Sequence, residues 1–367
     1  MSEMSVQHGG ARSSFRVLNA ADTADAAAWL RLWEQWPGRE VHAHPGYASL
    51  FSNEHTDAFC ACLSSRGGTV LFPFLLRAVP DELTAGKAPA GLHDITTPYG
   101  YGGAFCWGPE SADLAAEFWA AFDSWGRTRQ VVSEFIRFSL RPEIVLPYPG
   151  TVEVRQDNIV RGLDLSPDDL WMDFQHKVRK NVRKAERSGV EVIADPEGSR
   201  FEDFFRIYEA TMDRRHADAA HCFSRSFFEN IHENLAGQYI YFHASHEGKV
   251  ISTELVLVSA ETVYSFLGGT MSEYFELRPN DLLKYRVMLW SIDHGLRDYV
   301  LGGGYSPNDG TFRYKRAFAP SGSRPFRVGM RVLQPDAYLQ LLSTTAAECA
   351  IPGYFPAYRR REHVIEL

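Results

Sequence analysis

The stretch of sequence that is most informative about the fold is HKVRKNVRKAERSGVEV, residues 176–192. Val178, Val182 and Ala185 follow one another at intervals of four and three residues, which predicts a helix with a narrow apolar stripe. Gly189 stands where helices commonly end, and the apolar residues after it begin a predicted strand. The rest of the helix surface is cationic, and its six positive side chains are Lys177, Arg179, Lys180, Arg183, Lys184 and Arg187.

This cationic helix contrasts with the rest of the chain, which has a formal net charge of -8 at pH 7. A charge run is usually a solvated helix face. Here its sign opposes that of the whole chain, which favours the binding of an anion such as a phosphate, a pyrophosphate or the backbone of an RNA end. We therefore predict a donor-binding or phosphate-binding role for Lys177, Arg179, Lys180, Arg183 and Lys184.

Two further segments follow this helix in the sequence. One begins with LGGT at 267–270 and LRPN at 277–280 and ends, after a predicted helix, with LGGG at 301–304. The other is FRYKRAF at 312–318, which we predict to be a strand. Together with the cationic helix they resemble the Fem-type peptidyltransferases, which belong with their acetyltransferase-like relatives to the GNAT superfamily.

The resemblance implies an α/β (α+β) fold of two tandem GNAT-like domains, each a mixed, largely antiparallel sheet flanked by helices. A chain of 367 residues has room for two domains. We expect residues 1–14 to be disordered, residues 15–165 to form the first domain and residues 166–322 the second. Residues 323–367 are predicted to add a strand and a helix that pack back on the first domain.

Several classes of protein are excluded by what the sequence lacks. No apolar run is long enough to span a bilayer, and the first residues do not resemble a signal peptide. The five cysteines are scattered and contain no CxxC pair, which argues against a zinc site. We therefore predict a cytoplasmic protein with no membrane span, no metal and no tightly bound cofactor, and the sequence leaves its oligomeric state open.

Two residues are the candidates for catalysis. The resemblance places Lys315 near the reaction centre, where a fixed cation would stabilise the tetrahedral oxyanion of acyl transfer. Glu254 lies inside the apolar strand predicted over 250–258, where a carboxylate is costly unless it is paired or accepts a proton. The alternative for Glu254 is a structural ion pair with an arginine.

Candidate substrate-binding residues are spread along the chain. The loop 97–103, TPYGYGG, is a predicted wall of the acceptor groove, and Asp94 before it would hold an acceptor amine. The resemblance places a tyrosine and an arginine near the substrate channel at positions 208 and 214. The complete predicted set is Asp94, Tyr99, Tyr101, Tyr208, Arg214, Tyr264, Asn280 and Arg313.

Asn280 is predicted to cap a helix over 281–296, with Leu282, Tyr285, Leu289 and Ile292 on its apolar face. In acetyltransferases of the GNAT superfamily the corresponding helix start holds the pyrophosphate of the cofactor. That site usually has a glycine-rich loop, whereas residues 276–280 read ELRPN and contain no glycine. This departure argues against the usual form of coenzyme A binding and leaves room for a different donor, such as an aminoacyl-tRNA end.

The sequence therefore supports three hypotheses. The first is an acyltransferase that moves an aminoacyl group from aminoacyl-tRNA to a small-molecule or peptide amine. The second is an acyl-CoA-dependent N-acetyltransferase, with acetyl-CoA as donor, that acts on an amino sugar or a natural-product amine. The third is a GNAT module that only binds an anion.

Overall fold

A computed structural model of the chain describes residues 13–80, 91–109, 112–215, 222–344 and 354–359. The predicted disorder of residues 1–14 falls mostly outside this part, and Ser14 already belongs to a strand. The strands are β1 (Ser14–Asn19), β2 (Thr56–Ser65), β3 (Gly68–Ala78), β4 (His93–Thr96), β5 (Phe105–Trp107), β6 (Val131–Arg137), β7 (Thr151–Gly162), β8 (Glu191–Asp195), β9 (Tyr239–His246), β10 (Lys249–Val258), β11 (Thr262–Thr270), β12 (Asp298–Gly302) and β13 (Ser323–Val332). The helices are α1 (Thr23–Glu34), α2 (Pro45–Ser49), α3 (Leu114–Thr128), α4 (Pro167–Asp173), α5 (His176–Arg187), α6 (Phe201–Arg215), α7 (Arg225–Asn234), α8 (Pro279–Asp293), α9 (Gly310–Arg316) and α10 (Pro335–Thr344).

The chain folds as two compact units. Unit 1 contains the described residues within 1–37, 42–155 and 326–366. Its strands lie in the order β1-β2-β3-β4-β6-β13, with β5 beside β3. The β4–β6 pair is parallel and the other pairs within this unit are antiparallel. Helix α3 covers this sheet through aromatic contacts of Phe118 and Phe122 with Phe72.

Unit 2 contains residues 38–41 and the described part of 156–325. Its strands lie in the order β7-β12-β11-β10-β9-β8, and the β11–β12 pair is parallel among antiparallel neighbours. Val178, Val182 and Ala185 of α5 are all buried, so the predicted apolar stripe is confirmed. The predicted fold class, an α/β chain with a largely antiparallel sheet flanked by helices, is also confirmed, while the domain limits stay a prediction.

Strands β11 and β12 separate shortly after they begin. Their pairing covers only Thr262–Tyr264 against Asp298–Val300. Beyond it, residues 265–270 of β11 have partly exposed side chains although the strand continues to Thr270. The described pairing of β11 with β12 therefore ends at Tyr264, while β10 stays paired with β11 up to Thr270.

The segment 312–318 is the clearest correction to the sequence analysis, because it is not a strand. Residues Gly310–Arg316 form α9, since the Asp309 carboxylate accepts a hydrogen bond of 2.7 Å from the Phe312 N–H and caps the helix. Arg313 and Lys315 therefore point to different sides of a helix instead of to the same face of a strand. A separate short helix, α4, precedes the cationic helix α5.

Helix α8 begins earlier than predicted, and Asn280 is not its N-cap. Arg278 adopts a left-handed conformation with φ 59°, and Pro279 occupies the first helical position, where a missing N–H costs nothing. The predicted apolar face is also offset. The residues that α8 buries are Pro279, Asp281, Leu282, Leu283, Lys284, Val287, Met288 and Ser291. Two ionisable side chains, those of Asp281 and Lys284, thus point into unit 2. None of the described helices is long and apolar enough to cross a membrane.

Candidate active site

Glu254 lies in the middle of β10, opposite Gly268 of β11, and is only 3% exposed. Its Oε1 accepts hydrogen bonds from Lys284 Nζ and from the Tyr299 hydroxyl, each 2.5 Å long. Its Oε2 is buried and has no hydrogen-bond partner among the described residues. A buried polar atom left without a partner costs about 1–3 kcal/mol. This oxygen is therefore suited to receive an N–H or a proton from a substrate.

Lys284 projects from α8 and supplies the cation that balances Glu254. Its three N–H groups are all used, because Nζ also donates to Ser265 Oγ at 2.8 Å and to the Tyr299 hydroxyl at 3.1 Å. Burial and the Glu254 charge raise the pKa of Tyr299 well above its usual range, so Tyr299 stays a neutral donor. Lys284 was not among the residues predicted from the sequence. The available signal was its spacing of three and four residues before the apolar Val287 and Met288.

Lys315 lies in the last turn of α9, and its Nζ donates a hydrogen bond of 2.6 Å to the carbonyl oxygen of Gly303, directly after β12. Burial lowers the pKa of Lys315 to about 7, and the Lys284 ammonium group lowers it as well. Glu254 and Asp309 oppose this effect, whereas Arg215 adds to it. Lys315 is therefore able to exchange a proton near neutral pH, and the two predicted catalytic residues act on each other electrostatically.

The glycines after β12 allow this arrangement. A Cβ atom on Gly303 would lie 2.5 Å from Asn158 Oδ1, and one on Gly304 would overlap the Asp309 carboxylate. The Asp309 carboxylate also accepts a hydrogen bond of 2.8 Å from the Tyr305 N–H, which fixes the loop before α9. A Cβ atom at 303 or 304 would therefore force Asn158, Asp309 or the loop itself to shift.

The start of α8 is filled by the protein's own carboxylate. Pro279 has no N–H, and the buried Asp281 carboxylate accepts hydrogen bonds from its own N–H and, at 3.1 Å, from Asn181 Nδ2. Burial raises the pKa of Asp281 to about 6, although Asn181, Arg278 and Lys177 lower it. Asn280 donates a hydrogen bond of 2.8 Å to the Tyr314 hydroxyl and so links α8 to α9. A pyrophosphate at this helix start would face the Asp281 carboxylate.

The cationic side chains of α5 have different environments. Arg179 donates to the carbonyl oxygens of Met172 and Phe174, at 2.8 and 2.5 Å, and so caps the end of α4. The Arg183 guanidinium lies 5.3 Å from the Trp171 ring centre, and Lys184 pairs with the exposed Glu276 at 3.3 Å. Lys177 and Lys180 have exposed side chains, and Lys177 lies near enough to Asp281 to lower the pKa of that carboxyl group.

An arginine–aromatic patch, formed by Arg214, Arg215, Phe275 and Tyr305, lies at the end of α6. The Arg214 guanidinium is 5.1 Å from the Phe275 ring centre, and Arg215 Nη1 donates to the Tyr305 hydroxyl at 3.1 Å. Both rings are open to solvent, with Phe275 43% and Tyr305 62% exposed. Because the charge of Arg215 acts on Lys315, the patch lies close to the candidate active site. Exposed aromatic rings beside arginines are suited to stacking with nucleobases.

Three other predicted substrate-binding residues of unit 2 contact the protein itself. The buried Tyr208 hydroxyl accepts a hydrogen bond of 2.8 Å from the Phe223 N–H. The buried Tyr264 hydroxyl donates to Glu40 Oε2 at 2.7 Å. Arg313 is exposed and donates to the Asn308 carbonyl oxygen at 2.6 Å.

The remaining three predicted residues belong to unit 1. Asp94 is completely buried, and its carboxylate accepts hydrogen bonds from Arg77, Arg359 and Tyr358. Burial raises its pKa, but the two arginines outweigh this and hold the pKa below its usual range. The structure thus provides a cross-link at position 94 and no exposed acid for an acceptor amine. The Tyr99 carbonyl oxygen accepts from a tyrosine hydroxyl at 2.7 Å, and the Tyr101 ring packs edge-on against two aromatic neighbours, Phe326 and His42.

The part of unit 2 that contains Glu254, Lys284 and Lys315 matches a known protein family. Residues 172–316 match the family described as acetyltransferase (GNAT) domain. The part of unit 2 that carries the candidate site is thus similar to this family. The predicted enzyme class, an acyltransferase, is therefore confirmed. Among curated proteins, no sequence matches the chain. No group of three or more His, Cys, Asp or Glu side chains within the described ranges is placed to hold a metal ion.

Solved structures share this fold at low sequence identity. The crystal structure of FemX superposes with a TM-score of 0.63 at 13% identity, covering 86% of this chain and 97% of FemX. The structure of L-PGS from Bacillus licheniformis gives a TM-score of 0.50 at 13% identity, with 88% and 96% covered. The C-terminal domain of a putative lysylphosphatidylglycerol synthetase from Agrobacterium fabrum gives 0.50 at 10% identity, with 86% and 95% covered. The predicted resemblance to Fem-like GNAT proteins is confirmed at the level of the fold.

Proposed function

We propose that this acyltransferase moves an aminoacyl group from aminoacyl-tRNA to an amine acceptor and so forms an amide bond. One observation carries the proposal: a buried acid with one oxygen that has no hydrogen-bond partner among the described residues, Glu254, lies near enough to Lys315 for their charges to interact, and the pKa of Lys315 is about 7. Amide formation needs a group that accepts a proton from the amine and a group that stabilises and protonates the leaving oxygen. Glu254 and Lys315 supply these two functions.

The reaction then balances in two steps. The amine nitrogen attacks the carbonyl carbon of the aminoacyl ester while Glu254 Oε2 accepts a proton from that nitrogen, and the Lys315 ammonium group stabilises the oxyanion. When the intermediate collapses, the ester C–O bond breaks and Lys315 gives a proton to the ribose oxygen. The products are the amide and a tRNA with a free hydroxyl group. Transfer of the proton from Glu254 to Lys315 restores the starting state.

Two features of unit 2 support an RNA donor. The Asp281 carboxylate occupies the start of α8, so a cofactor pyrophosphate there would meet like charge and a helix turn with few available N–H groups. The arginine–aromatic patch beside Lys315 offers two exposed rings and two cations, which suits the unpaired nucleotides at a tRNA end. The exposed Lys177 and Lys180 would add contacts to phosphate groups.

An acyl-CoA donor is the second candidate, because the matching family is described as an acetyltransferase domain. Acetyl-CoA would then acylate a small amine such as an amino sugar. This reading requires the pyrophosphate to displace Asp281 or to bind away from the start of α8.

The test is a comparison of donors. Bulk tRNA charged with labelled amino acids and, separately, labelled acetyl-CoA are incubated with the full chain and a panel of small amines and peptides with free amino groups. We expect label to move from tRNA to an acceptor, and Lys315→Met to reduce the rate at least about 100-fold. Lys249→Met, a change at an exposed lysine of β10, is the matched control and should retain the rate. Transfer from acetyl-CoA alone would establish the second candidate instead.

Binding measurements complete the test. Loss of tRNA affinity between about 50 and about 200 mM salt is expected if phosphate contacts contribute. Salt-independent binding would contradict the role assigned to the cations. Aminoacyl-tRNA as donor also leads us to place the protein in the cytoplasm.

A further inference from the structure

The buried Lys284 has no role in the reaction as written above, although its ammonium group donates three hydrogen bonds around Glu254. Its ammonium group is bound by an acid, a serine and a tyrosine from three different strands, β10, β11 and β12. The side chain is 9% exposed. Burying a lysine is costly unless it is paired, and Lys284 is paired with the equally buried Glu254.

The first consequence of Lys284 concerns the orientation of the Glu254 carboxylate. Lys284 and Tyr299 both bind the same oxygen, Oε1, at 2.5 Å. The second oxygen, Oε2, receives no hydrogen bond from the described residues. Because Oε1 is held by two hydrogen bonds, the carboxylate cannot rotate freely, and the direction in which Oε2 points is fixed. A group that accepts a proton from a substrate requires such a fixed orientation.

The second consequence concerns the charge of Lys315. The charged groups that act on it are Lys284 from α8, Glu254 from β10, Asp309 before α9 and Arg215 from α6. Among these groups Lys284 has the largest effect, and it opposes the protonated form of Lys315. A lysine in water keeps its proton far above neutral pH. A neighbouring buried ammonium group makes Lys315 release its proton more easily.

We infer that Lys284 is a positioning residue of this site: it anchors Oε1 of Glu254, leaves Oε2 for the reacting amine, and places a buried positive charge that acts on Lys315. The inference rests on the proposed function only in assigning a reacting amine and a leaving oxygen to these two groups. Its electrostatic part concerns the free protein and is testable without substrate.

The experiment measures how readily Lys315 reacts with acetic anhydride as a function of pH. Trace labelling of the full chain followed by mass spectrometry gives the fraction of Lys315 that is unprotonated at each pH. In the native chain the midpoint should be at a pH of about 7. In Lys284→Met we expect the midpoint to rise by on the order of one pH unit, because the like charge is gone and the attraction to Glu254 remains.

Three variants make the result specific. Lys284→Arg keeps the charge and should keep the midpoint close to that of the native chain. Lys249→Met removes an exposed lysine at the start of β10 and should leave the midpoint unchanged. The double variant Glu254→Gln with Lys284→Met buries no unpaired charge, and its midpoint should rise less than that of the single variant. It also keeps the test available if Lys284→Met alone does not fold.

An unchanged Lys315 midpoint in the folded Lys284→Met chain, or in the double variant if only that chain folds, would overturn the inference. Because labelling needs neither donor nor acceptor, a failed aminoacyl-transfer assay leaves this result interpretable. If turnover is observed, Lys284→Met should lower kcat at least about 10-fold with little change in KM, since the affected groups act on the transition state. A purely structural lysine would not shift the Lys315 midpoint.

Discussion

Replacing Asp281 with asparagine should stabilise the protein at mildly alkaline pH. Burial raises the pKa of Asp281 to about 6 from its ordinary 3.8. A carboxyl group with a raised pKa in the folded state contributes stability at low pH and loses it as the pH rises through the folded-state value. The difference of about two pH units corresponds to about 3 kcal/mol at about 1.36 kcal/mol per unit. Asparagine has the shape of the protonated acid and can still accept the hydrogen bond from Asn181.

The assay is guanidinium unfolding of the native chain and of Asp281→Asn at about pH 8 and at about pH 4. We expect the variant to be more stable by about 1–3 kcal/mol at the higher pH, with most of this gain lost at the lower pH. Asp293→Asn, at the exposed end of the same helix, is the control and should change stability by no more than about 0.5 kcal/mol. A variant that is less stable at about pH 8, or a gain that does not depend on pH, would refute the reasoning. The same variant tests donor choice, since coenzyme A affinity should rise once the carboxylate is gone.

Two further predictions concern the surroundings of Lys315. Tyr305→Ala should weaken tRNA binding about 5- to 100-fold, because stacking of one base on an aromatic ring contributes about 1–3 kcal/mol. The affinity for coenzyme A should not change. If the native chain and Tyr305→Ala bind tRNA with equal affinity in a filter-binding assay, the arginine–aromatic patch is not part of the donor site. Gly303→Ala should reduce the transfer rate by about 100-fold, because its Cβ atom would lie 2.5 Å from Asn158 Oδ1 and displace the carbonyl group that holds Lys315. Gly310→Ala is the matched control, because a Cβ atom at Gly310 meets nothing within 4 Å. If Gly303→Ala keeps the native transfer rate, the Gly303 carbonyl group is dispensable.

The sequence predicted those parts of the fold that depend on local periodicity. The stripe of Val178, Val182 and Ala185 is set by helical spacing within a single element, and all three side chains are buried. The segment 312–318 was assigned wrongly because seven residues contain too little periodicity to separate a strand from a short helix. The decisive signal was Asp309, whose carboxylate caps α9 from three residues before Phe312.

The site could be predicted only in part, because its hydrogen bonds join distant segments. Glu254 was singled out by its position in an apolar strand, and Lys315 by the family resemblance. Lys284 binds partners that are 15 to 30 residues away on three strands, and no spacing rule connects them. Asp94 shows the same effect in unit 1, since its partner Arg359 is 265 residues away. An acid near a glycine-rich loop therefore looked available for substrate although it is completely buried.

The most direct test of the central claim is the single-turnover rate of aminoacyl transfer from charged tRNA as a function of pH, measured for the native chain and for Lys315→Met. The account predicts that the native rate falls as the pH rises above about 7, because Lys315 loses the proton that it must deliver. It also predicts that Lys315→Met is at least about 100-fold slower and lacks this alkaline decline. A Lys315→Met rate within about threefold of the native rate, with the same dependence on pH, would contradict the account.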